Sequence, residues 1–162
     1  MFILPRCFDS SECITLAARI DQHWQESLAR GIEARGFDAG ARTVDITHEP
    51  LCSRVQAHIE KHLRVRLTLD SAELQAWPTI SPPSGLHRHD HNGRETTDWN
   101  SLLYLNEDFQ GGQFYTDYGL MLKPTRGTLT FFNGRDTLHG VRACEGKNRY
   151  TAIFWWKDTR WY

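Results

Sequence analysis

The 162-residue sequence has almost no net charge, no long apolar run and few cysteines. Its 19 lysines and arginines nearly balance its 20 aspartates and glutamates, which gives a formal net charge of −1. This balance provides no electrostatic basis for binding nucleic acid through a broad basic surface. We therefore expect no nucleic-acid partner, and we expect the chain to act on a small molecule or a peptide.

Apolar residues nowhere approach the run of roughly 18 positions that a membrane-spanning helix requires. The apolar residues 1–4 are followed at once by Pro5 and Arg6, so they fall well short of the core of a secretory signal. From these two absences we expect no membrane association and a cytoplasmic location.

Cysteine is present at only four positions, and these contain neither a CxxC pair nor a regular framework. Such spacing argues against a zinc ribbon and against a small scaffold held by disulfides. We expect ordinary reduced thiols at Cys7, Cys13, Cys52 and Cys144.

The chain also lacks an internal repeat, a linker and a low-complexity tract, so the simplest interpretation is a single domain over residues 1–162. Residues 1–70 are predicted to form a helical support region, because apolar residues recur there every four positions in two segments. These residues are Leu16, Ile20, Trp24, Leu28 and Ile32 in the first segment, and Leu51, Val55, Ile59 and Leu63 in the second.

The two helices have predictable ends. Ser10 or Ser11 is a suitable N-cap for the first helix, and Gly36 is a suitable stop. The second helix is expected over about residues 50–63.

Residues 71–162 have the pattern of a β-sheet protein. Short runs of β-forming residues are separated by glycine or proline at intervals of roughly eight to fifteen positions. Strands are expected near 73–80, 86–91, 100–106, 112–116, 119–123, 127–132, 138–143 and 149–156. This number of strands is sufficient for a jelly-roll core of two facing sheets. The predicted fold class is therefore mainly β with N-terminal helices.

Histidines are concentrated in one short segment. His87, His89 and His91 alternate within five residues, and His139 follows within the phrase Thr-Leu-His-Gly-Val at 137–141. Alternating side chains of an extended segment project onto one face, so two of these imidazoles can meet a third from another strand on one divalent metal. The pattern predicts a non-haem metal site.

An ordered series of short phrases surrounds these histidines. It comprises Ser-Leu-Leu-Tyr-Leu-Asn at 101–106, Gly-Gly-Gln-Phe at 111–114, Leu-Lys-Pro at 122–124, Gly-Thr-Leu-Thr-Phe at 127–131, His-Gly-Val at 139–141 and Arg-Tyr-Thr-Ala-Ile-Phe-Trp at 149–155. In order and spacing it resembles the C-terminal half of the 2-oxoglutarate and Fe(II)-dependent oxygenases of the prolyl hydroxylase type. The resemblance covers roughly residues 73–156. It implies a double-stranded β-helix buttressed by about two helices, with Fe(II), 2-oxoglutarate as cosubstrate and O2.

The resemblance also assigns site residues. Members of this family carry an H-x-D dyad, a distal histidine and a basic residue about ten positions after it. His139 matches the distal histidine, and Arg149 matches the basic residue that binds the distal carboxylate of 2-oxoglutarate. Thr151 lies two positions along the same strand and shares its face. Tyr104 matches a position where family members often supply a phenol to the same carboxylate.

The dyad itself departs from the family pattern and can be aligned in three ways. We favour His89 and His91, together with His139, as the metal ligands, because Gly85 and Asn92 then also match the family phrase. His87 with His89 is a second possibility. A third pairs His87 with Asp90 at an H-x-x-D spacing that the family does not normally use.

Either all-histidine alignment removes the carboxylate and leaves the metal one positive charge richer. Imidazole also suits zinc, copper and nickel as well as iron. Asp90 and Asp136 are candidates for orienting the imidazoles through hydrogen bonds.

We therefore expect an oxygenase that hydroxylates an amino acid, a peptide or another small molecule. The alternative is a cupin-like metal-binding module or a three-histidine dioxygenase that does not use 2-oxoglutarate. Arg149 is the feature that separates these functions, because a dicarboxylate gives it an evident role.

Overall fold

A computed structural model of the protein describes residues 1–31, 42–78, 83–89 and 98–159. In this part of the chain two helices, α1 (Ser10–Ala29) and α2 (Pro50–His62), accompany twelve strands. The strands are β1 (Phe2–Leu4), β2 (Arg42–Asp45), β3 (Leu67–Trp77), β4 (Ser84–His87), β5 (Trp99–Tyr104), β6 (Gln110–Gly111), β7 (Phe114–Thr116), β8 (Met121–Leu122), β9 (Leu129–Asn133), β10 (His139–Val141), β11 (Cys144–Glu145) and β12 (Arg149–Asp158).

The strands form two principal antiparallel sheets. The major sheet has six strands in the order β1-β9-β5-β12-β3-β2, and the minor sheet has four in the order β4-β10-β7-β8. A two-stranded ladder of β11 and β6 completes the arrangement. The structure thus has the mainly β, double-stranded β-helix fold that the sequence predicts, and all eight predicted strand positions contain strands.

Alternation along β12 divides the core into two parts. Ala152, Phe154 and Trp156 belong to a cluster that also contains the apolar faces of both helices. Ile153 and Trp155 point the other way and pack in a second cluster. That cluster includes Phe114 of the minor sheet, so it fills the space between the two sheets.

Helix α1 differs in detail from its prediction. Its N-cap is Asp9, whose Oδ1 accepts a hydrogen bond from the Ser11 backbone N–H at 2.7 Å, and the helix ends at Ala29. It ends before the predicted stop at Gly36, which lies outside the described residues. Leu28 is 53% exposed, contrary to its place in the predicted apolar stripe. Residues four apart advance about 40° around a helix at each step, so a strict four-residue repeat turns away from the core.

Helix α2 agrees with its prediction. Pro50 occupies the first turn, and Leu51, Val55 and Ile59 are buried. The Glu49 carboxylate at its N-terminus accepts two hydrogen bonds from the Arg19 guanidinium, at 2.8 and 2.5 Å, and this ties α2 to α1.

The first 70 residues supply strands as well as helices. Both β1 and β2 are edge strands of the major sheet, and β3 already begins at Leu67. The short strands at the sheet edges carry little periodic signal, so the pattern of apolar residues did not predict them. Neither of the helices in the described ranges is long and apolar enough to cross a membrane.

We predict that Leu74→Ala lowers the free energy of unfolding by about 2–5 kcal/mol, because Leu74 is fully buried between the major sheet and the helices. Leu28→Ala is the matched control and should change stability by less than about 0.5 kcal/mol. Chemical denaturation of both variants measures the difference. Equal losses would contradict this assignment of the core.

Candidate active site

Three imidazoles meet where β4 and β10 pair. His87 at the end of β4 lies directly opposite His139 at the start of β10, and His89 follows two residues beyond His87. The ring centroids of His139 are 4.6 Å from those of His87 and 4.7 Å from those of His89. One potential ligand nitrogen from each ring lies within 4.8 Å of the other two.

Hydrogen bonds at Nδ1 orient all three rings. Nδ1 of His87 donates to the Gly85 carbonyl and Nδ1 of His139 to the Thr137 carbonyl, each at 2.8 Å. Nδ1 of His89 is 2.7 Å from Oδ1 of Asn100. The two carbonyl oxygens only accept, so the ring protons of His87 and His139 lie on Nδ1 and their Nε2 atoms keep their lone pairs. With Oδ1 of Asn100 as its acceptor, His89 has the same tautomer.

The arrangement of the Nε2 atoms suits a cation. Nε2 of His139 and Nε2 of His89 are 3.2 Å apart, so two lone pairs approach each other closely. The pKa of His139 is lowered to about 3, mainly by burial and to a smaller extent by the neighbouring His89 and His87, while the hydrogen bond to the Thr137 carbonyl opposes this shift. His139 therefore stays neutral at physiological pH, as a metal ligand must. The donor set fits a divalent metal held by imidazole.

The connection between β9 and β10, residues 134–138, holds two of these histidines. The Gly134 carbonyl accepts the backbone N–H of His89 at 3.0 Å, and the Thr137 carbonyl fixes the His139 ring. One short connection thus sets the position of His89 against that of His139.

The predicted ligands and orienting residues have different outcomes. His89 and His139 lie together as the sequence predicts, and His87 joins them. His91 and Asp90 lie outside the described residues. The Asp136 carboxylate is exposed and accepts from Asn133 Nδ2 at 2.7 Å, and it orients none of His87, His89 and His139. Asn100 orients His89 instead. The sequence could have indicated this, because Asn100 is a polar residue on the same face of β5 as Leu102 and Tyr104.

The second group of predicted residues lies on the inner face of the major sheet. Arg149 and Thr151 share one face of β12, and Tyr104 of β5 pairs directly with Thr151. All three are buried, with exposures of 2%, 0% and 0% respectively. The Arg149 guanidinium carbon lies 5.4 Å from the centre of the Tyr104 ring.

These three residues carry polar atoms without a hydrogen-bond partner among the described residues. They are Nε and Nη2 of Arg149, Oη of Tyr104 and Oγ1 of Thr151. Buried polar groups are normally paired, so a cluster of unpaired donors indicates a site for an acceptor. Burial lowers the pKa of Arg149 and raises the pKa of Tyr104, and the Arg149 charge partly opposes the shift at Tyr104. A carboxylate would pair with these donors.

A single cavity of about 190 Å³ connects the histidines with Arg149. It is lined by Gln75, Trp77, Ser84, His87, His89, Leu102, Phe114, Phe132, His139, Val141, Arg149, Ile153 and Trp155. No carboxylate is among these described lining residues. Sequence reasoning did not identify Gln75 and Trp77, which β3 brings beside β12. Lys147, a possible substitute for Arg149, is exposed and pairs instead with Asp108 at 2.8 Å.

The fold is shared with known enzymes. A prolyl hydroxylase from Trichoplax adhaerens, solved with a peptide fragment of the hypoxia inducible factor oxygen degradation domain, superposes with a TM-score of 0.72 and 19% identity, over 98% of this chain and 84% of that one. A prolyl-4-hydroxylase from Pseudomonas putida gives 0.70 and 18%, over 97% and 91% of the two chains.

A third similar structure is the 2-oxoglutarate complex of a viral collagen prolyl hydroxylase from Paramecium Bursaria Chlorella virus-1. Its TM-score is 0.68 at 13% identity, over 97% of this chain and 95% of that one. No curated protein sequence matches the chain significantly.

The sequence of residues 76–157 matches the profile of the 2OG-Fe(II) oxygenase superfamily. That segment contains β4, β5, β10 and nearly all of β12, and therefore every residue of the cavity except Gln75. The chain belongs to the 2OG-Fe(II) oxygenase superfamily and is a 2-oxoglutarate-dependent dioxygenase that uses Fe(II) and O2.

Proposed function

We propose that this dioxygenase hydroxylates a side chain of a peptide or a small amino-acid-like molecule at a metal site built from imidazoles alone. The observation that carries the proposal is the shared cavity, which has convergent histidines at one end and the guanidinium of Arg149 at the other. Nε and Nη2 of this guanidinium have no hydrogen-bond partner among the described residues. Superfamily membership disfavours the alternative of a metal-binding module or a dioxygenase that does not use 2-oxoglutarate.

We propose that His89 and His139 hold the metal together with a third imidazole. Among the described residues, His87 has the required proximity. His91 is the third ligand predicted from the sequence alignment and is the alternative to His87. When bound, Fe(II) with 2-oxoglutarate and O2 supplies the oxidising chemistry that protein side chains lack.

The role of the chain is then to bind, orient and exclude water. Arg149 offers a planar fork of donors to the distal carboxylate of 2-oxoglutarate, and the hydroxyls of Thr151 and Tyr104 can donate to the same group. Pairing these donors satisfies groups that are otherwise buried without a partner. Apolar side chains such as Phe114, Phe132 and Trp155 line the cavity between the two ends and keep it dry.

The substrate class and the cellular setting are extensions of this proposal. The Trichoplax adhaerens enzyme was solved with a peptide, which supports a peptide substrate here. Free thiols at Cys7, Cys13, Cys52 and Cys144 are consistent with a cytoplasmic location. The nearly balanced charge supports the absence of a nucleic-acid partner.

For the metal, we predict that His89→Ala and His139→Ala each weaken Fe(II) or Zn(II) binding by more than about 100-fold. Each variant removes a direct ligand, whereas loss of a residue that only orients a ligand costs about 10–100-fold. Equilibrium dialysis with metal analysis measures the change. His62→Ala is the control, since His62 is exposed on α2, where its Nδ1 bonds to the His58 carbonyl and its ring contacts Phe2.

The same measurement decides the third ligand. If His87 is the third ligand, His87→Ala should weaken metal binding as strongly as His139→Ala does. His91→Ala should then bind metal as tightly as the His62→Ala control. The reverse result would establish His91. Unchanged metal binding in His139→Ala would overturn the site.

For the cosubstrate, we predict that Arg149→Ala leaves metal binding intact and weakens 2-oxoglutarate binding by about 2–5 kcal/mol, the scale for breaking a buried charge pair. Arg149→Lys should recover only part of the loss, because an ammonium cannot reproduce the fork of donors. Anaerobic titration of the Fe(II) protein with 2-oxoglutarate, followed by its charge-transfer absorbance, measures the affinity.

Arg142→Ala is the matched control for this titration. Arg142 is an exposed arginine whose guanidinium lies 4.7 Å from the Tyr115 ring, outside the cavity lining, and its loss should leave the affinity unchanged. Equal 2-oxoglutarate affinity in wild type, Arg149→Ala and Arg149→Lys would rule out this role for Arg149.

A further inference from the structure

Two hydrogen bonds hold His89, one at its backbone and one at its ring. Its backbone N–H donates to the Gly134 carbonyl at 3.0 Å, and its ring Nδ1 is 2.7 Å from Oδ1 of Asn100. Asn100 is itself fully buried in β5, between Phe132 of β9 and Trp155 of β12. An amide at such a position is costly to bury without hydrogen bonds. Oδ1 of Asn100 contacts His89, whereas its Nδ2 has no hydrogen-bond partner among the described residues.

The direction of this hydrogen bond determines what His89 can do. With Oδ1 of Asn100 as the acceptor, the His89 proton lies on Nδ1 and Nε2 presents its lone pair to a cation. If the amide were reversed, Nδ2 would donate to Nδ1 and the proton would lie on Nε2. Nε2 would then be unable to act as a ligand. The contact between Asn100 and His89 therefore selects the tautomer that a metal needs.

Gly134 makes this contact possible. A Cβ atom at this position would lie 1.8 Å from Oδ1 of Asn100 and 3.1 Å from Nδ1 of His89. The backbone of Gly134 does not have a positive φ, so its conformation does not demand glycine. Space for the Asn100 side chain explains the glycine instead.

We infer that Asn100 is a positioning residue for metal binding, which fixes the tautomer and orientation of His89, and that Gly134 provides the space for it. The inference rests on the proposed metal site. In that site His89 needs its proton on Nδ1, and therefore an acceptor there, to present Nε2 to the metal. Asn100 supplies this acceptor without adding charge, whereas a carboxylate in the same place would also make the imidazole a stronger ligand.

A variant series tests this role through Co(II) affinity and the Co(II) visible spectrum. Asn100→Ala removes the acceptor and should weaken Co(II) binding by about 10–100-fold and alter the spectrum. Asn100→Asp keeps the acceptor and should bind Co(II) at least as tightly as wild type. Gly134→Ala should resemble Asn100→Ala, because its Cβ displaces the Asn100 side chain.

Ser101→Ala is the matched control. Ser101 is the next residue of β5, is also fully buried, and accepts a hydrogen bond from Nε1 of Trp156 at 2.9 Å on the opposite face. Its replacement removes a buried hydrogen bond of similar geometry without touching His89. Co(II) affinity and spectrum should therefore stay at wild-type values even if thermal stability falls.

The tautomer can be observed without any metal. In the metal-free wild type, nitrogen-15 NMR of the imidazoles should show the His89 proton on Nδ1, and in Asn100→Ala this preference should be lost. A proton on Nε2 of His89 in the wild type would overturn the inference. So would an Asn100→Ala variant that binds Co(II) as tightly as the control Ser101→Ala. If wild type binds no metal, the proposed site fails, but the NMR result still decides whether Asn100 sets the tautomer.

Discussion

Strand β12 is the element on which the rest of the structure depends. It lies in the interior of the major sheet, paired with β5 on one side and β3 on the other. Its alternate residues face opposite directions, so one set joins the helices in a solid apolar core and the other set faces the minor sheet. The residues that pack against the helices hold β12 in place. The residues on the opposite face, which begin with Arg149, can therefore line a cavity while the strand keeps its position.

Unsatisfied polar groups lie in and beside that cavity, because Arg149 lines it and Thr151 and Tyr104 are neighbours of Arg149. Arg149, Thr151 and Tyr104 are almost completely buried, yet several of their donor atoms have no partner among the described residues. Leaving such groups unpaired costs free energy, which the apolar core behind the major sheet offsets. The benefit is preorganisation, since a carboxylate ligand finds its donors already oriented and largely desolvated.

The histidine end of the cavity follows a different principle. Neutral imidazoles bind a divalent cation without cancelling any of its charge, and the described lining residues include no carboxylate. Together with Arg149, a bound metal would make this cavity strongly positive, which favours a doubly negative cosubstrate such as 2-oxoglutarate. The orientation of the imidazoles then depends on the hydrogen bonds that their Nδ1 atoms donate to the Gly85 carbonyl, the Thr137 carbonyl and Oδ1 of Asn100.

The sequence by itself determined the fold class, helix α2, the strand positions after residue 71 and the grouping of Arg149 with Thr151. These follow from short-range periodicity, because a side chain's face in a strand or helix depends only on its neighbours in the chain. The phrase around Tyr104 added a residue from a second strand through family resemblance. Sequence patterns were less reliable at the ends of α1 and for the edge strands β1 and β2, where the periodic signal is weak.

Only the tertiary structure decided which groups meet across strands. The pairing of His87 with His139, the placement of Asn100 against His89 and the need for Gly134 depend on the register of separate strands and on one connection between them. Sequence spacing carries no information about such a register, because hydrogen bonds between strands and packing between sheets set it. The sequence therefore predicted which kinds of side chain form the site, whereas the contacts between those side chains depend on the tertiary structure.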